Sequence, residues 1–210
     1  MLRPEQVIAY AEADFEWPHS NFIRMIHNKF PDAEVSGKAI DLGCGPGDIT
    51  FRFATEFPEI KVHALDGSIE MIRYANNLRT SRDDIRDRVI FINSMIDEYR
   101  PSYTYDWIIS NSLLHHLPDP MVFWDSLKSF ARSGSTVFVM DLFRPESMED
   151  AMVLTNKYTE GEPDALKNDF YNSLISSFDI DEVRDQLNTG NLDLSVEKVS
   201  DRHIIMYGRI

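Results

Sequence analysis

Apolar residues in this chain fall in short runs separated by turn residues, and the runs alternate between two periods. Strand-like runs rich in Ile, Val, Phe or Trp lie at about 37–42, 60–65, 88–92, 105–110 and 135–141. Between them, helical spacing predicts helices over 48–57, 68–79, about 94–99 and 119–131. The last opens on Asp119-Pro120, a capping and first-turn pair, while Pro58 and Ser133-Gly134 mark helix ends. Residues 1–36 read as helical and precede the first strand. Residues 142–190 interrupt the rhythm, but Tyr158, Phe170, Tyr171, Leu174 and Phe178 within them predict a packed insert rather than a loose tail. Two alternating runs, Leu192–Val199 and His203–Tyr207, predict an antiparallel hairpin at the C-terminal end. Repeated strand–helix units of this size predict an α/β fold, a doubly wound and mostly parallel sheet with helices on both faces.

Composition narrows the class. With 210 residues, a hydrophobic share of 43% and no apolar run near the length of a membrane span, the expected protein is a single soluble domain. The net charge of −14, with no cluster of Lys and Arg, disfavours a nucleic-acid partner. Arg82, Arg86 and Arg88 alternate with Asp83, Asp84 and Asp87, a solvated stretch rather than a phosphate-binding patch. The lone Cys44 has no disulfide partner in the chain and no leader pattern opens it, so a cytoplasmic setting is expected. No third His or Cys stands at ligand spacing from the His115-His116 pair, so no metal site is expected. A monomer or homodimer is expected.

The chemistry concentrates at residues 40–47, Ile-Asp-Leu-Gly-Cys-Gly-Pro-Gly. Glycines at 43, 45 and 47 between a strand and a helix allow positive φ and close approach of a ligand to backbone. Helix N–H groups there face a polar or anionic ligand, and Asp41 adds a carboxylate suited to a cationic one. Dinucleotide sites need Gly-x-Gly-x-x-Gly; here the third glycine comes one position early. Asp66 ends the second strand about 20 residues on, the place from which an acid holds a ribose hydroxyl pair. Asp66 could also cap the following helix, and the two roles are compatible.

Asp-Leu-Gly-Cys-Gly-Pro-Gly resembles motif I of the class I S-adenosylmethionine (SAM)-dependent methyltransferases. That resemblance implies a Rossmann-like seven-stranded sheet whose last strand inserts antiparallel. It implies SAM as cofactor, bound by Asp41, Gly43, Cys44, Gly45 and Gly47 of the loop, by Asp66 and Gly67, and by Met71 packing over the adenine. The adenine-flanking positions after the third strand are Ser94 and Met95, where the family often has an acid. Backbone near Asn111 and Ser112 would receive the SAM amino group. The segment Tyr105 to Pro120 resembles the family's fourth-strand region, where small-molecule enzymes often carry a histidine just after the strand. His115 or His116 is therefore the candidate general base, the alternative being cofactor packing or a structural hydrogen bond.

On this reading the single domain divides into an N-terminal helical lid (1–36), a SAM-binding core (37–141), a helical substrate-side insert (142–190) and a hairpin (191–210). Tyr10, Trp17 and His19 of the lid and Arg144 of the insert are the candidate contacts to a small-molecule acceptor, Arg144 by gripping a carboxylate; the alternatives are ordinary core packing for the aromatic N-terminal helix and pairing with Asp141 or Glu146 for Arg144. Transfer of a methyl group to that acceptor is the expected activity. A SAM-binding sensor or partner subunit without transferase activity is the alternative. A dinucleotide-dependent oxidoreductase is disfavoured by the glycine spacing, and a basic or extended groove would be needed for a protein or RNA substrate.

Overall fold

The alternating apolar runs become strands, and most of the 3.6-period runs become helices, in the order that the spacing requires. The computed structural model describes residues 16–210, with side chains from Asn21 onward. The helices are α1 (Glu16–Lys29), α2 (Asp48–Glu56), α3 (Ile69–Arg79), α4 (Met121–Phe130), α5 (Met148–Tyr158), α6 (Asp164–Ser176) and α7 (Ile180–Thr189). The strands are β1 (Gly37–Leu42), β2 (Ile60–Asp66), β3 (Val89–Asn93), β4 (Tyr105–Asn111), β5 (Ala131–Leu142), β6 (Ser195–Lys198) and β7 (His203–Arg209).

They form one seven-stranded sheet in the order β3-β2-β1-β4-β5-β7-β6. The first five strands are parallel, and β7 enters antiparallel between β5 and β6, with Leu142 opposite His203 and Thr136 opposite Arg209. Strand order reverses between β1 and β4, so a crevice opens beyond their carboxyl ends. The expected Rossmann-like sheet with an antiparallel final hairpin is the one observed.

Alternation along the strands feeds two apolar layers. On one face Ala39, Val62, Trp107, Ile109 and Phe138 meet α1, α2 and α3 through Phe22, Ile26, Phe51, Phe53, Ile72 and Ala75. On the other, Ile40, Leu42, Ile108, Val137 and Val139 meet α4 and α7 through Phe123, Trp124, Leu127, Val183 and Leu187. A smaller cluster, Leu142 with Ala151 and Leu174, seats the α5–α6 pair on the carboxyl end of β5. Thus the 142–190 insert is three packed helices, started by a Ser147 cap on the Asp150 amide and by a capping box of Asp179 with Glu182.

Three expectations change. The helix expected at 94–99 is a single turn, closed by the Tyr99 amide on the Met95 carbonyl at 3.1 Å. The segment is instead pinned by side chains: Tyr99 and Tyr105 hydroxyls meet at 3.1 Å, and both Tyr105 and Tyr103 reach His63 Nδ1 at 2.9 Å. Ser133-Gly134 does not end a helix; α4 stops at Phe130 and these residues lie within the irregular start of β5, with Gly134 at φ +86°. Finally, the described part of the proposed lid is structural. Phe22 and Ile26 are buried, and the Phe22 ring meets Phe138 edge-on at 4.9 Å, so this half of α1 is a core helix that cannot swing away without uncovering the apolar face of the sheet. Tyr10 lies outside the described residues, as do the side chains of Trp17 and His19.

Candidate active site

The crevice is built from the turns that leave β1, β2, β3, β4 and β5. After β1 the chain turns back sharply: the Gly43 and Cys44 amides both donate to the Leu65 carbonyl, at 2.8 and 3.0 Å. Gly43, Gly45 and Gly47 all have positive φ, which explains why three glycines are needed. Their surroundings differ. A Cβ at Gly43 would strike Leu113, and one at Gly47 would strike Phe91 and Phe51, whereas one at Gly45 would meet nothing within 4 Å. Gly43 and Gly47 serve close packing; Gly45 leaves open space at the mouth of the crevice.

Asp66 closes the loop from the β2 side. One oxygen accepts the Gly45 amide at 2.8 Å and the other the Ser68 amide at 2.7 Å. Burial raises its pKa, and those two amides oppose the rise. The ribose and helix-start readings therefore share one side chain, but the cap of α3 proper is Ser68, whose hydroxyl accepts the Met71 amide at 3.4 Å.

Other sequence candidates occupy different places from those expected. Asp41 is buried beneath the loop, where its carboxylate accepts the Thr50 hydroxyl at 2.5 Å. Burial pushes its pKa up to about 7. It presents no surface to a ligand, so its part is to tie β1 to α2. Cys44 is buried and its thiol pKa is raised by that burial, which leaves no reactive thiolate. Met71 is buried too, and the exposed thioether is Met95, whose sulfur would lie 2.7 Å from a Cβ on Gly67. Met95, rather than Met71, offers the apolar surface on this side. Ser94 donates its hydroxyl to the Met95 carbonyl at 3.0 Å, and its amide bonds the Asp66 carbonyl at 3.1 Å.

At the end of β4, Ser110 is buried and donates to the Leu42 carbonyl at 2.7 Å, locking β4 to β1. The Asn111 side-chain oxygen is buried without a hydrogen-bond partner, a costly state unless a donor arrives. Ser112 then adopts φ +58°, left-handed backbone that swings the chain across Gly43. It leads into the single-turn helix Leu114–His116.

The two histidines part there. His115 is buried, and its Nδ1 lies 2.5 Å from Asp141 Oδ1. Asp141 also accepts the Leu114 amide and the Leu142 amide, each at 2.7 Å. His115 is thereby a structural bolt between the β4 turn and β5, out of reach of an acceptor. His116 is exposed, and its ring stacks on His115 with centroids 4.0 Å apart. Partial desolvation, then the neighbouring His115 ring, push its pKa down to about 4, against the pull of Asp141 and Asp169. It is a neutral imidazole at pH 7. Asp141 and Asp169 went unassigned in the sequence because each becomes relevant only when β5 and α6 are brought to the turn.

Arg144 does not line the crevice as expected. Its guanidinium lies 2.6 Å from Glu182 and 3.3 Å from Asp179, and its amide bonds the Phe178 carbonyl at 3.1 Å. It holds the start of α7 to the end of β5.

An open parallel sheet, with a glycine turn, an acid on the second strand and an orphaned acceptor on the fourth, defines a nucleotide-type cofactor fold. The family model described as "Methyltransferase domain" matches residues 34–187, and the chain belongs to that family. Among curated relatives, a malonyl-[acyl-carrier protein] O-methyltransferase of Ilyobacter polytropus is 27% identical over 106 residues, 50% of this chain and 39% of that protein. A trans-aconitate 2-methyltransferase of Rhodococcus jostii is 32% identical over 90 residues, 42% of this chain and 31% of that protein. The chain thus matches well under half the length of these relatives. Among solved structures, a SAM-dependent methyltransferase from Aquifex aeolicus shares the fold with TM-score 0.70 at 18% identity, covering 99% of this chain and 98% of that one. The plantazolicin methyltransferase BpumL, solved with a monoazolic desmethylPZN analog and SAH, gives TM-score 0.74 at 16% identity, covering 97% and 89%.

Proposed function

We propose that the protein is a SAM-dependent methyltransferase acting on a small-molecule acceptor in the cytoplasm. Family membership supports the reaction, and the pairing of an open Gly45 with a fixed Asp66 carboxylate supports the cofactor. The residues fit SAM on their own chemistry. Asp66 keeps lone pairs for a ribose diol, the exposed Met95 thioether flanks the adenine side, and the unpartnered Asn111 oxygen suits an ammonium donor. When bound, SAM supplies a methyl group already activated by its sulfonium charge, so alignment carries most of the rate, about 7–11 kcal/mol of barrier in well-oriented systems.

The chain's own contribution is positional. Gly43 and Leu113 bring the glycine loop against the β4 turn, so the cofactor crevice and the histidine turn share a wall. The α5–α6 pair covers the carboxyl end of β5 and supplies the acceptor side. His116 presents a neutral imidazole that accepts a hydrogen bond from an acceptor N–H or O–H and orients its lone pair. No helix among the described residues is long and apolar enough to cross a membrane.

Isothermal titration with SAM, S-adenosylhomocysteine and NAD in parallel tests the reading. Binding of the first two without NAD is expected; NAD binding in their place sinks it. Methyl release from labelled SAM in an acceptor screen separates an enzyme from a SAM sensor.

A further inference from the structure

Charge at the acceptor wall narrows the substrate. The helix α6 lies against the Leu114–His116 turn, and Asp169 of that helix acts electrostatically on His116 together with Asp141. Basic side chains of the insert are committed elsewhere. Arg144 is held by Glu182 and Asp179, Lys157 by Asp201, and Arg184 by Asp181. Lys167 on α6 is the remaining basic residue of that insert. Arg202, from the loop before β7, is buried against the Tyr158 ring. His116 itself is uncharged near neutrality. A carboxylate acceptor entering here would stand beside Asp169 without a counter-charge from these committed groups, an arrangement that costs free energy on partial desolvation.

We infer that the acceptor is a small amine, placed at the His116 turn with Asp169 as its charge partner; this rests on the methyltransferase reading above. The amine enters as an ammonium paired with Asp169 and passes one proton to water, and the free amine then brings its lone pair to the methyl carbon. A nitrogen–carbon bond forms as the sulfur–carbon bond breaks, and sulfur keeps that electron pair. The positive charge lost by sulfur appears on nitrogen, whose surplus proton then leaves to water. A carboxylate beside the nitrogen is worth most as that charge develops, so Asp169 favours the transition state over the neutral bound amine. His116 accepts one N–H and leaves the lone pair facing the methyl group.

The test begins with SAH titration of the whole protein; no binding overturns the methyltransferase reading itself. On SAH-saturated protein, saturation-transfer NMR is then run with benzylamine, benzyl alcohol and benzoate, and with n-butylamine, n-butanol and butyrate. The amines should bind, less tightly as NaCl is raised. Asp169→Asn should weaken them about fivefold, as an exposed ion pair supplies, with SAH affinity unchanged. With labelled SAM the methyl group should appear on nitrogen. Binding of benzoate or butyrate in preference to the amines, lost in Lys167→Ala, overturns the inference. So does amine binding indifferent to Asp169→Asn and to salt, or no binding by any of the six probes while SAH is bound.

Discussion

His115 Nδ1 and Asp141 Oδ1 meet 2.5 Å apart inside the protein, joining the turn after β4 to the end of β5. Asp141 carries two backbone amides as well, so one carboxylate satisfies three donors. Asp141→Ala should cost about 3–5 kcal/mol, the loss expected when one partner of a buried polar pair is removed. Urea denaturation measures it. A loss under 1 kcal/mol would mean that the turn is held by other contacts.

Asp66→Ala should weaken SAH binding by about 2–4 kcal/mol, since two charge-assisted hydrogen bonds to a ribose diol disappear. Calorimetry reads this directly, and unchanged affinity would remove Asp66 from the site. Asp66→Asn is the milder companion: it should keep one loop amide bond and part of the affinity.

The raised pKa of Asp41 makes a stability prediction with a definite sign. Its folded value of about 7 lies above the ordinary carboxylate value, so the native state binds a proton more readily than the unfolded chain. Stability from this group is present at low pH and is lost as pH rises from about 4 to about 7. Asp41→Asn keeps an acceptor for Thr50 and carries no charge, so it should flatten that slope and be more stable than the parent above pH 7. Thermal melts across pH check it; parallel slopes in the two proteins would contradict it.

Glycine substitutions should separate packing from ligand approach. Gly47→Ala pushes a methyl group into Phe91 and Phe51 at φ +94° and should lower stability. Gly45→Ala meets no atom, so it should cost only the backbone strain, about 1 kcal/mol. Its methyl group would enter the open crevice and weaken SAH binding. If Gly45→Ala bound SAH normally, the open space would not be the cofactor's.

Arg144→Ala should cost no more than about 1 kcal/mol, because its ion pairs with Glu182 and Asp179 are partly exposed. The KM for an acceptor should be unaffected. A rise in KM with stability intact would return Arg144 to the substrate side.

The sheet was legible because its signals are local and repeated. Runs such as Ile60–Asp66 and Tyr105–Asn111 show their period within a few residues, and a turn with three glycines advertises its own backbone. Side-chain roles depended on distance in sequence. Asp41 looks like a ligand contact from its place at the strand's end and Met71 from the family resemblance, yet both are buried in the interior, and the exposed Met95 follows a strand by two residues. Nothing near His115 in sequence announces Asp141, which arrives only when β4 and β5 pair. Arg144 was misread for the same reason: its partners are the cap, Asp179, and the first turn, Glu182, of a helix that begins 36 positions later, at Ile180. The stretch at 94–99 has helical spacing, but Pro101 follows it and bars its continuation beyond a single turn.

The contacts on β5 divide the molecule mechanically. Its terminal residues hold the histidine turn through Asp141, the α5–α6 pair through Leu142 and the start of α7 through Arg144. The glycine loop and Asp66 hang instead from β1 and β2. The proposed acceptor wall is therefore held by β4 and β5 and the cradle beside it by β1 and β2, meeting where Leu113 crosses Gly43. On the proposed reading, changes to what the end of β5 carries would reshape the acceptor side while the cradle on β1 and β2 keeps its register.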